Sequence, residues 1–234
     1  MKKVAIMQPY FLPYIGYWQL IHAVDEFVVY DNIEFTKKGW FNRNRILETD
    51  HDRLFTVPIK KDSDFLPVNE RYLSDDSDQE NARTLRVIQA NYKKAPQYAA
   101  VYPLIESCFL FPNKNLFEYN YHAIKTICEY LDITTEIVIS SKVTIDHSLK
   151  GADKVLAICE AEGADLYINA IGGMELYDKV MFQARGVELQ FIKSKPIEYE
   201  QFGKAFVPWL SIIDVLMFND KQTVKHMLDM YELI

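Results

Sequence analysis

The sequence lacks any apolar run long enough to cross a bilayer, and the short apolar run near its start ends at Gln8 and Pro9. A secretory signal peptide needs a longer apolar stretch at that place, so none is expected. Cysteine is also scarce. The three cysteines lie in apolar helical patterns without the spacing of metal ligands: Cys108, Cys128 and Cys159. These absences predict a cytoplasmic protein with buried, reduced thiols and no membrane insertion.

Positive charge is in deficit, with 26 Lys and Arg against 33 Asp and Glu and a formal net charge of −7. Proteins bind nucleic-acid backbones largely through Lys and Arg, so we expect no DNA partner. No histidine or cysteine pattern indicates a metal site or a nucleophilic triad, and we expect no permanently bound cofactor. Aromatic residues are abundant at 14%, which favours stacking on a base or a sugar in addition to core packing.

Strand-like and helical segments alternate at both ends of the chain. Residues 3–7 and 27–30 are strand-like, and an apolar helical stretch begins near Ile15 between them. The final third repeats this order, with strands predicted at 136–140, 165–169 and 187–192 and helices predicted at 150–162 and 173–185. The alternation predicts a Rossmann-like three-layer α/β fold with a mostly parallel sheet.

Two further features complete the predicted organisation. Residues 46–47 and 54–59 predict a short antiparallel hairpin with its turn at 50–52, and helical segments are predicted at 209–217 and 221–233. Residues 61–79 are polar and rich in turns, and three helical patterns follow them up to residue 131. We therefore expect one α/β domain over 1–234, in which residues 61–132 form a polar flap and a helical insertion. Whether that insertion is a lid or a homodimer interface is left open.

The first candidate site is the loop after the first strand, because ligands collect at the carboxyl ends of parallel strands. Two prolines fix the shape of this loop, and Gly16 permits close approach of a ligand. The candidate binding residues here are Gln8, Pro9, Tyr10, Tyr14, Gly16 and Tyr17. Tyr14 and Tyr17 have the spacing of the His-x-Gly-His motif of nucleotidylyltransferase-like proteins, with tyrosine at both histidine positions. The alternative is that both are partly buried aromatic residues at a helix start.

The second candidate is a cationic segment at residues 37–45, after the second strand and so at the same edge of the sheet. Arg43 could bind a phosphate in bidentate fashion, with Lys37 as a second charge and Trp40 as a stacking plane. Asn42 and Asn44 are candidate binding residues in the same segment. A solvated basic loop is the alternative.

The third candidate is the Gly172–Gly173 pair after a later strand, where backbone amides could bind an anion. A tight left-handed turn is the alternative use of these glycines. His147 could act as a base oriented by Asp146, although Ser148 as a helix N-cap is the more ordinary interpretation of that segment.

Residues 8–17, 25–31 and 38–44 together resemble the WbqC-like family, and residues 167–173 and 208–214 also match its pattern. The resemblance covers nearly the whole chain. It implies a role in O-antigen or related surface-polysaccharide biosynthesis. The implied reaction attaches an amino acid, with glycine favoured, to the amine of a nucleotide-linked amino-dideoxysugar.

The resemblance also implies roles for individual residues and ligands. Activation of the carboxylate as an acyl-adenylate would use ATP and Mg²⁺, whereas an aminoacyl-tRNA or another activated carrier would remove that need. In the adenylate scheme, the adenine and phosphates are surrounded by Tyr14, Gly16 and Tyr17, and the phosphate charge is neutralised by Lys37 and Arg43. Gln8 orients a substrate, and Trp40 provides a stacking plane. Asp31 serves as a base or as a Mg²⁺ contact. The alternatives are a non-catalytic nucleotide-sugar binding or assembly protein and a nucleotidylyltransferase.

Overall fold

The computed structural model describes residues 1–63 and 65–234. Its strands are β1 (Lys3–Met7), β2 (Glu26–Val29), β3 (Arg43–Glu48), β4 (His51–Thr56), β5 (Glu136–Ile139), β6 (Leu166–Ala170), β7 (Glu188–Ser194) and β8 (Tyr231–Leu233). Six of them form one sheet in the order β5-β2-β1-β6-β7-β8. The first five strands in that order are parallel to their neighbours, and β8 pairs antiparallel with β7.

Helices cover both faces of this sheet. They are α1 (Ile15–His22), α2 (Ser77–Tyr92), α3 (Tyr98–Phe109), α4 (Leu116–Tyr130), α5 (Gly151–Ala161), α6 (Lys179–Gln183), α7 (Ile212–Phe218) and α8 (Lys221–Leu228). Successive residues of β1 point to opposite faces, so Ala5 packs in the cluster that contains α1, α4, α7 and α8. Val4 and Ile6 pack with α5 and α6 on the other side. The predicted mostly parallel α/β fold is confirmed.

The strand order creates a topological switch point between β1 and β6. From β1 the chain proceeds outward through β2 to β5, and it returns to the other side of β1 as β6 before it continues to β7. The connections that leave β1 and β6 therefore run in opposite directions and leave a crevice at the carboxyl ends of these two strands.

The β3–β4 pair forms the predicted antiparallel hairpin as a separate two-stranded sheet. The predicted turn at 50–52 is wrong, because His51 pairs with Glu48 and Asp52 pairs with Leu47. Arg43 belongs to β3 and not to a loop. The reason is cross-strand pairing, which extends both strands beyond their apolar centres.

The predicted flap and helical insertion at 61–132 contain a 3₁₀ turn at Val68–Glu70 and helices α2 to α4. Residue 64 of the predicted flap lies outside the described residues. Val68 and Leu73 are buried in the same cluster as the helices, so this polar segment contributes to the core. The division of the chain into domains stays a prediction.

Two predicted helices are wrong in extent. The predicted helix at 173–185 is a 3₁₀ turn over Ile171–Leu176 followed by the short α6, whose separate start is fixed by a cap in which Asp178 accepts a hydrogen bond from the Val180 amide. The predicted helix at 221–233 ends at Leu228. The residues beyond it pair as β8 with the edge of β7, and this pairing overrides the local helical pattern.

Candidate functional site

An open cleft of about 980 Å³ lies at the carboxyl edge of the sheet, at the switch point between β1 and β6. Four segments line it: the β1–α1 loop, the residues after β2, the residues around the start of α5, and the residues after β6. Its walls combine aromatic rings with a few polar side chains, which is the usual composition of a small-molecule site.

The cleft brings together eight of the residues predicted as site residues: Gln8, Tyr10, Tyr14, Gly16, Tyr17, Trp40, Gly172 and Gly173. The other predicted site residues do not line it: Pro9, Asp31, Lys37, Asn42, Arg43 and Asn44. Trp40 from the cationic segment and Tyr17 from the first turn of α1 thus face one cavity, whereas Lys37 and Arg43, the two cations predicted to bind phosphate, do not line it.

The β1–α1 loop is held in shape by buried amides from distant parts of the chain. Asn44 donates from Nδ2 to the carbonyl oxygens of Phe11 and Leu12, at 3.2 and 2.9 Å. Asn120 on α4 donates from Nδ2 to the carbonyl oxygens of Pro9 and Phe41, at 2.9 and 2.7 Å. Asn120 therefore ties the loop to the segment that carries Trp40.

The hydroxyls of the loop have different uses. Tyr17 is buried and donates to the backbone oxygen of Gln8 at 2.9 Å, so its hydroxyl is already paired. Tyr10 donates to the Oε1 atom of Gln8 at 2.8 Å, which leaves the Nε2 amide of Gln8 as the donor available to a ligand. The Tyr14 hydroxyl has no partner among the described residues. Tyr14 is the N-cap residue of α1, but its side chain makes no capping hydrogen bond.

Burial keeps the phenols of the cleft protonated at neutral pH. It raises the pKa of Tyr10 to about 12, with the nearby Tyr14 hydroxyl as a smaller cause, and it raises the pKa of Tyr14 as well. Desolvation likewise raises the pKa of Tyr30 to about 12. None of the three phenols therefore serves as a base near neutral pH. The Tyr14 and Tyr30 hydroxyls can donate hydrogen bonds to a ligand, whereas the Tyr10 hydroxyl already donates to Gln8.

Arg43 stabilises the loop that presents Trp40. Its Nε donates to the carbonyl oxygen of Gly39 at 2.9 Å, and its guanidinium also donates to the carbonyl oxygen of Lys38. The guanidinium carbon lies 5.4 Å from the centroid of the Trp40 ring. Arg43 thus acts on the cleft through the position of Trp40. Lys37 is exposed and lies outside the cleft lining.

Asp31 and Asn42 are buried structural groups. One carboxylate oxygen of Asp31 accepts bonds from the Ser141 amide and the Ser140 hydroxyl, each at 2.8 Å, and the other accepts from Asn69 at 2.8 Å. Asn42 donates to the carbonyl oxygen of Val57 at 2.8 Å. With both oxygens engaged, Asp31 joins three loops and does not present a free carboxylate to the cleft.

The glycine pair lies in the 3₁₀ turn after β6, and neither glycine has a positive φ, so the alternative of a left-handed turn is wrong. A Cβ atom at Gly173 would lie 2.3 Å from Nδ2 of Asn169, which lines the cleft. A Cβ atom at Gly172 would meet nothing within 4 Å. The requirement for glycine at position 173 is therefore close packing.

The main residue that the sequence analysis missed is Lys154 on α5. Its side chain is only 5% exposed, it lines the cleft, and its Nζ lies 5.2 Å from the centroid of the Tyr30 ring. Desolvation lowers the pKa of this lysine, and the charge of Asp31 partly opposes that effect. The sequence shows that Lys154 lies in the first turn of a helix after a strand, but it does not show that this lysine is buried beside the cleft.

His147 also lines the cleft, but Asp146 does not orient it. The Asp146 carboxylate accepts bonds from the amide and hydroxyl of Ser148, and Ser148 is not the N-cap of α5. The Nδ1 atom of His147 lies 3.1 Å from the Nδ2 atom of Asn32. Because an amide nitrogen only donates, the neutral ring carries its proton on Nε2.

A second groove, of about 930 Å³, adjoins the cleft on the β7 side. The two cavities share Tyr14, Gly16 and Ala170 as walls. The groove is lined mainly by apolar residues and includes Trp209, whose ring centroid lies 6.0 Å from that of Tyr14. The Tyr14 ring therefore stands at the boundary of two adjacent binding volumes.

The fold and the cleft define a Rossmann-like α/β protein whose larger cleft lies at the topological switch point. The chain belongs to the WbqC-like protein family, whose model matches residues 8–226. It is similar to the uncharacterized protein Rv1507c of Mycobacterium tuberculosis (strain ATCC 25618 / H37Rv), with 30% identity over 223 residues that cover 94% of each chain. A search of solved structures returned no match.

Two further properties concern membranes and metals. Over residues 1–63 and 65–234, no helix combines the length and the apolar character that crossing a membrane requires. The same part of the chain contains no group of three or more His, Cys, Asp or Glu side chains that could hold a metal ion.

Proposed function

We propose that the protein transfers an amino acid, with glycine favoured, to the amine of a nucleotide-linked amino-dideoxysugar for surface-polysaccharide biosynthesis. The observation that carries this proposal is the cleft at the switch point of a WbqC-like chain. Ligand pockets typically measure about 300–1,000 Å³, so a volume of about 980 Å³ suits a ligand as large as a nucleotide-linked sugar.

The cleft offers the contacts that such a ligand needs. The rings of Tyr14 and Trp40 can stack on a base or a sugar, and the Gln8 amide and the Tyr14 hydroxyl can bind ligand oxygens. Lys154 supplies a positive charge in a poorly solvated place, where a charge-assisted bond is strong.

The adjoining groove supports a reaction with two substrates. In the transfer, the amine nitrogen forms a bond to the acyl carbon, the bond from that carbon to its leaving oxygen breaks, and the amine loses a proton. Both substrates must therefore meet at one point. The Tyr14 boundary between the cleft and the groove is such a point, with the nucleotide-linked sugar on one side and the activated donor on the other.

Two sources could supply the activated amino acid: an acyl-adenylate made from ATP, or a preformed carrier such as aminoacyl-tRNA. Mg²⁺ was predicted with ATP, and Asp31 was its predicted contact. The residues present do not fit a resident Mg²⁺, because both oxygens of Asp31 are engaged and, within residues 1–63 and 65–234, Glu34 is the one carboxylate that lines the cleft. Any Mg²⁺ in the adenylate route would arrive with the phosphates of ATP.

A second candidate function is non-catalytic binding of a nucleotide-sugar. It is favoured by one observation, the absence of a free carboxylate base at the position of Asp31. A nucleotidylyltransferase is less well supported, because Tyr17, at one of the two motif positions, uses its hydroxyl for the backbone of Gln8.

The test is incubation of the protein with ATP, Mg²⁺, glycine and a nucleotide-linked 4-amino-4,6-dideoxysugar, followed by mass spectrometry. A glycylated sugar together with AMP supports the adenylate route. A glycylated sugar formed only with glycyl-tRNA supports the carrier route. Failure to acylate with any common amino acid from either source, while the nucleotide-sugar still binds, would replace the proposal with the binding function.

A further inference from the structure

Helix α5 begins at the cleft without a side-chain cap. Its N-cap residue is Lys150, which has an extended backbone and makes no capping hydrogen bond. The amides of Gly151, Ala152 and Asp153 have no acceptor among the described residues. The first amides of a helix normally need such an acceptor, and together they carry a partial positive charge.

A buried lysine adds a second, independent observation. Lys154 is 5% exposed, and within residues 1–63 and 65–234 its Nζ has neither a hydrogen-bond acceptor nor a carboxylate within ion-pair distance. The Nζ lies over the face of the Tyr30 ring, 5.2 Å from its centroid. The stem of Lys154 is buried while its ammonium faces the open cleft, so an anion bound there would reach the charge without displacing a protein partner.

We propose that Lys154 and the N-terminus of α5 form the anion subsite of the cleft and bind the phosphate groups of the ligand. The inference rests on the proposed function for the identity of that ligand as a nucleoside diphosphate attached to a sugar. It places the phosphates on α5 and not on the cationic segment at 37–45.

The surroundings agree with this assignment. Among the cleft residues that the structure describes, the lysines are Lys150 and Lys154, and they lie within about one helical turn of each other at this end of α5. Gly151 has φ of +54°, so the chain at the helix start adopts a conformation that favours glycine. A Cβ atom there would meet no described atom within 4 Å, so this position favours glycine because of φ and not because of close packing.

The first test measures binding of inorganic pyrophosphate by isothermal titration calorimetry. Lys154→Met keeps a similar length and removes the charge, so it should fold and weaken pyrophosphate binding by about 10- to 100-fold, the range expected for loss of a charge-assisted bond. The matched control is Lys142→Met. Lys142 is an exposed lysine in the 3₁₀ turn after β5 and outside the cleft lining, so its variant should bind as the wild type does.

The second test addresses the helix N-terminus and does not depend on the buried lysine. Lys150→Ser introduces a cap that accepts from the first amides, whereas Lys150→Ala removes the same charge without a cap. The serine variant should have the higher melting temperature and yet bind pyrophosphate roughly fivefold more weakly than the alanine variant, because the cap competes with the anion.

The outcomes separate this inference from the proposed function. Equal pyrophosphate affinity in wild type and Lys154→Met, or in the two Lys150 variants, would overturn the anion subsite even if glycyl transfer is observed. Binding that depends on Lys154 would support the subsite even if no glycylated sugar forms. If Lys154→Met does not fold, the comparison of Lys150→Ser with Lys150→Ala decides whether the anion subsite exists.

Discussion

Replacement of Asn120 by alanine should both destabilise the protein and disturb the cleft. Asn120 is fully buried, and its Nδ2 holds the backbone oxygens of Pro9 and Phe41. Each bond has a net value of about 0.5–1.5 kcal/mol, and each buried carbonyl left unpaired adds a desolvation cost, so the expected loss is about 2–4 kcal/mol of unfolding free energy. For a chain of this size the melting temperature should fall by about 4–16 °C.

The same substitution should weaken binding of the nucleotide-linked sugar. The β1–α1 loop contains Leu12 with φ of 45°, a conformation that persists only while the surrounding bonds hold it. Without Asn120, the loop and the Trp40 segment lose their common anchor, and small misplacements of this kind reduce affinity by about tenfold or more.

Asn81 provides the matched control. It is also buried, and its Nδ2 also donates two bonds, to the Phe109 carbonyl and the Tyr119 hydroxyl, but it does not line the cleft. Chemical unfolding should show a loss of similar size for Asn81→Ala, whereas calorimetry should show unchanged ligand affinity. This role of Asn120 is refuted if Asn120→Ala lowers the unfolding free energy by less than about 1 kcal/mol, or if both variants reduce ligand affinity equally.

Other tests address the glycines after β6, the Trp40 segment and a buried carboxylate. Gly173→Ala should weaken ligand binding and lower the melting temperature, because its Cβ would lie 2.3 Å from an asparagine side chain, whereas Gly172→Ala should behave as wild type in both assays. Arg43→Ala and Trp40→Ala should each reduce the free energy of ligand binding by about 1–2 kcal/mol. The double variant should lose no more binding free energy than the more damaging of the two single variants. Additive losses in calorimetry would mean that Arg43 contacts the ligand itself. Burial raises the pKa of Asp214, so the folded state binds the proton of this carboxyl more tightly than the unfolded state does. The unfolding free energy relative to Asp214→Asn should therefore fall as the pH rises from the ordinary carboxyl pKa through the pKa of the folded state. An unfolding free energy that rises over this pH range in urea experiments would contradict the prediction.

The sequence predicted the structure well where a single short segment determines the local backbone conformation. The first strand is followed at once by a proline-fixed loop and a helix, and the structure places that loop at the carboxyl edge of the sheet as predicted. Gly163 and Gly186 directly follow the segments predicted as helices at 150–162 and 173–185, and both have the positive φ that is common after a helix end. The end of α8 was not predictable in this way, because β8 forms through pairing with a strand almost forty residues earlier.

The site required information that no local pattern contains. A cluster of cations predicted phosphate contacts at 37–45, but Arg43, the first residue of β3, donates to the carbonyl oxygens of Gly39 and Lys38 in the preceding loop. Lys154 reads as an ordinary helical lysine, and only the packing of α5 on the sheet shows that it is buried beside the cleft. Asn120 is 111 residues from the carbonyl of Pro9 that it holds, a separation that no motif spans.

The most direct test of the central claim is a crystal structure of the protein with a bound nucleotide-linked amino sugar. The ligand is expected in the cleft between β1 and β6, with its phosphates at the start of α5 and its sugar amine directed to Tyr14. A ligand bound against the β3–β4 hairpin, or in the adjoining groove that contains Trp209 with the cleft empty, would contradict the proposed site.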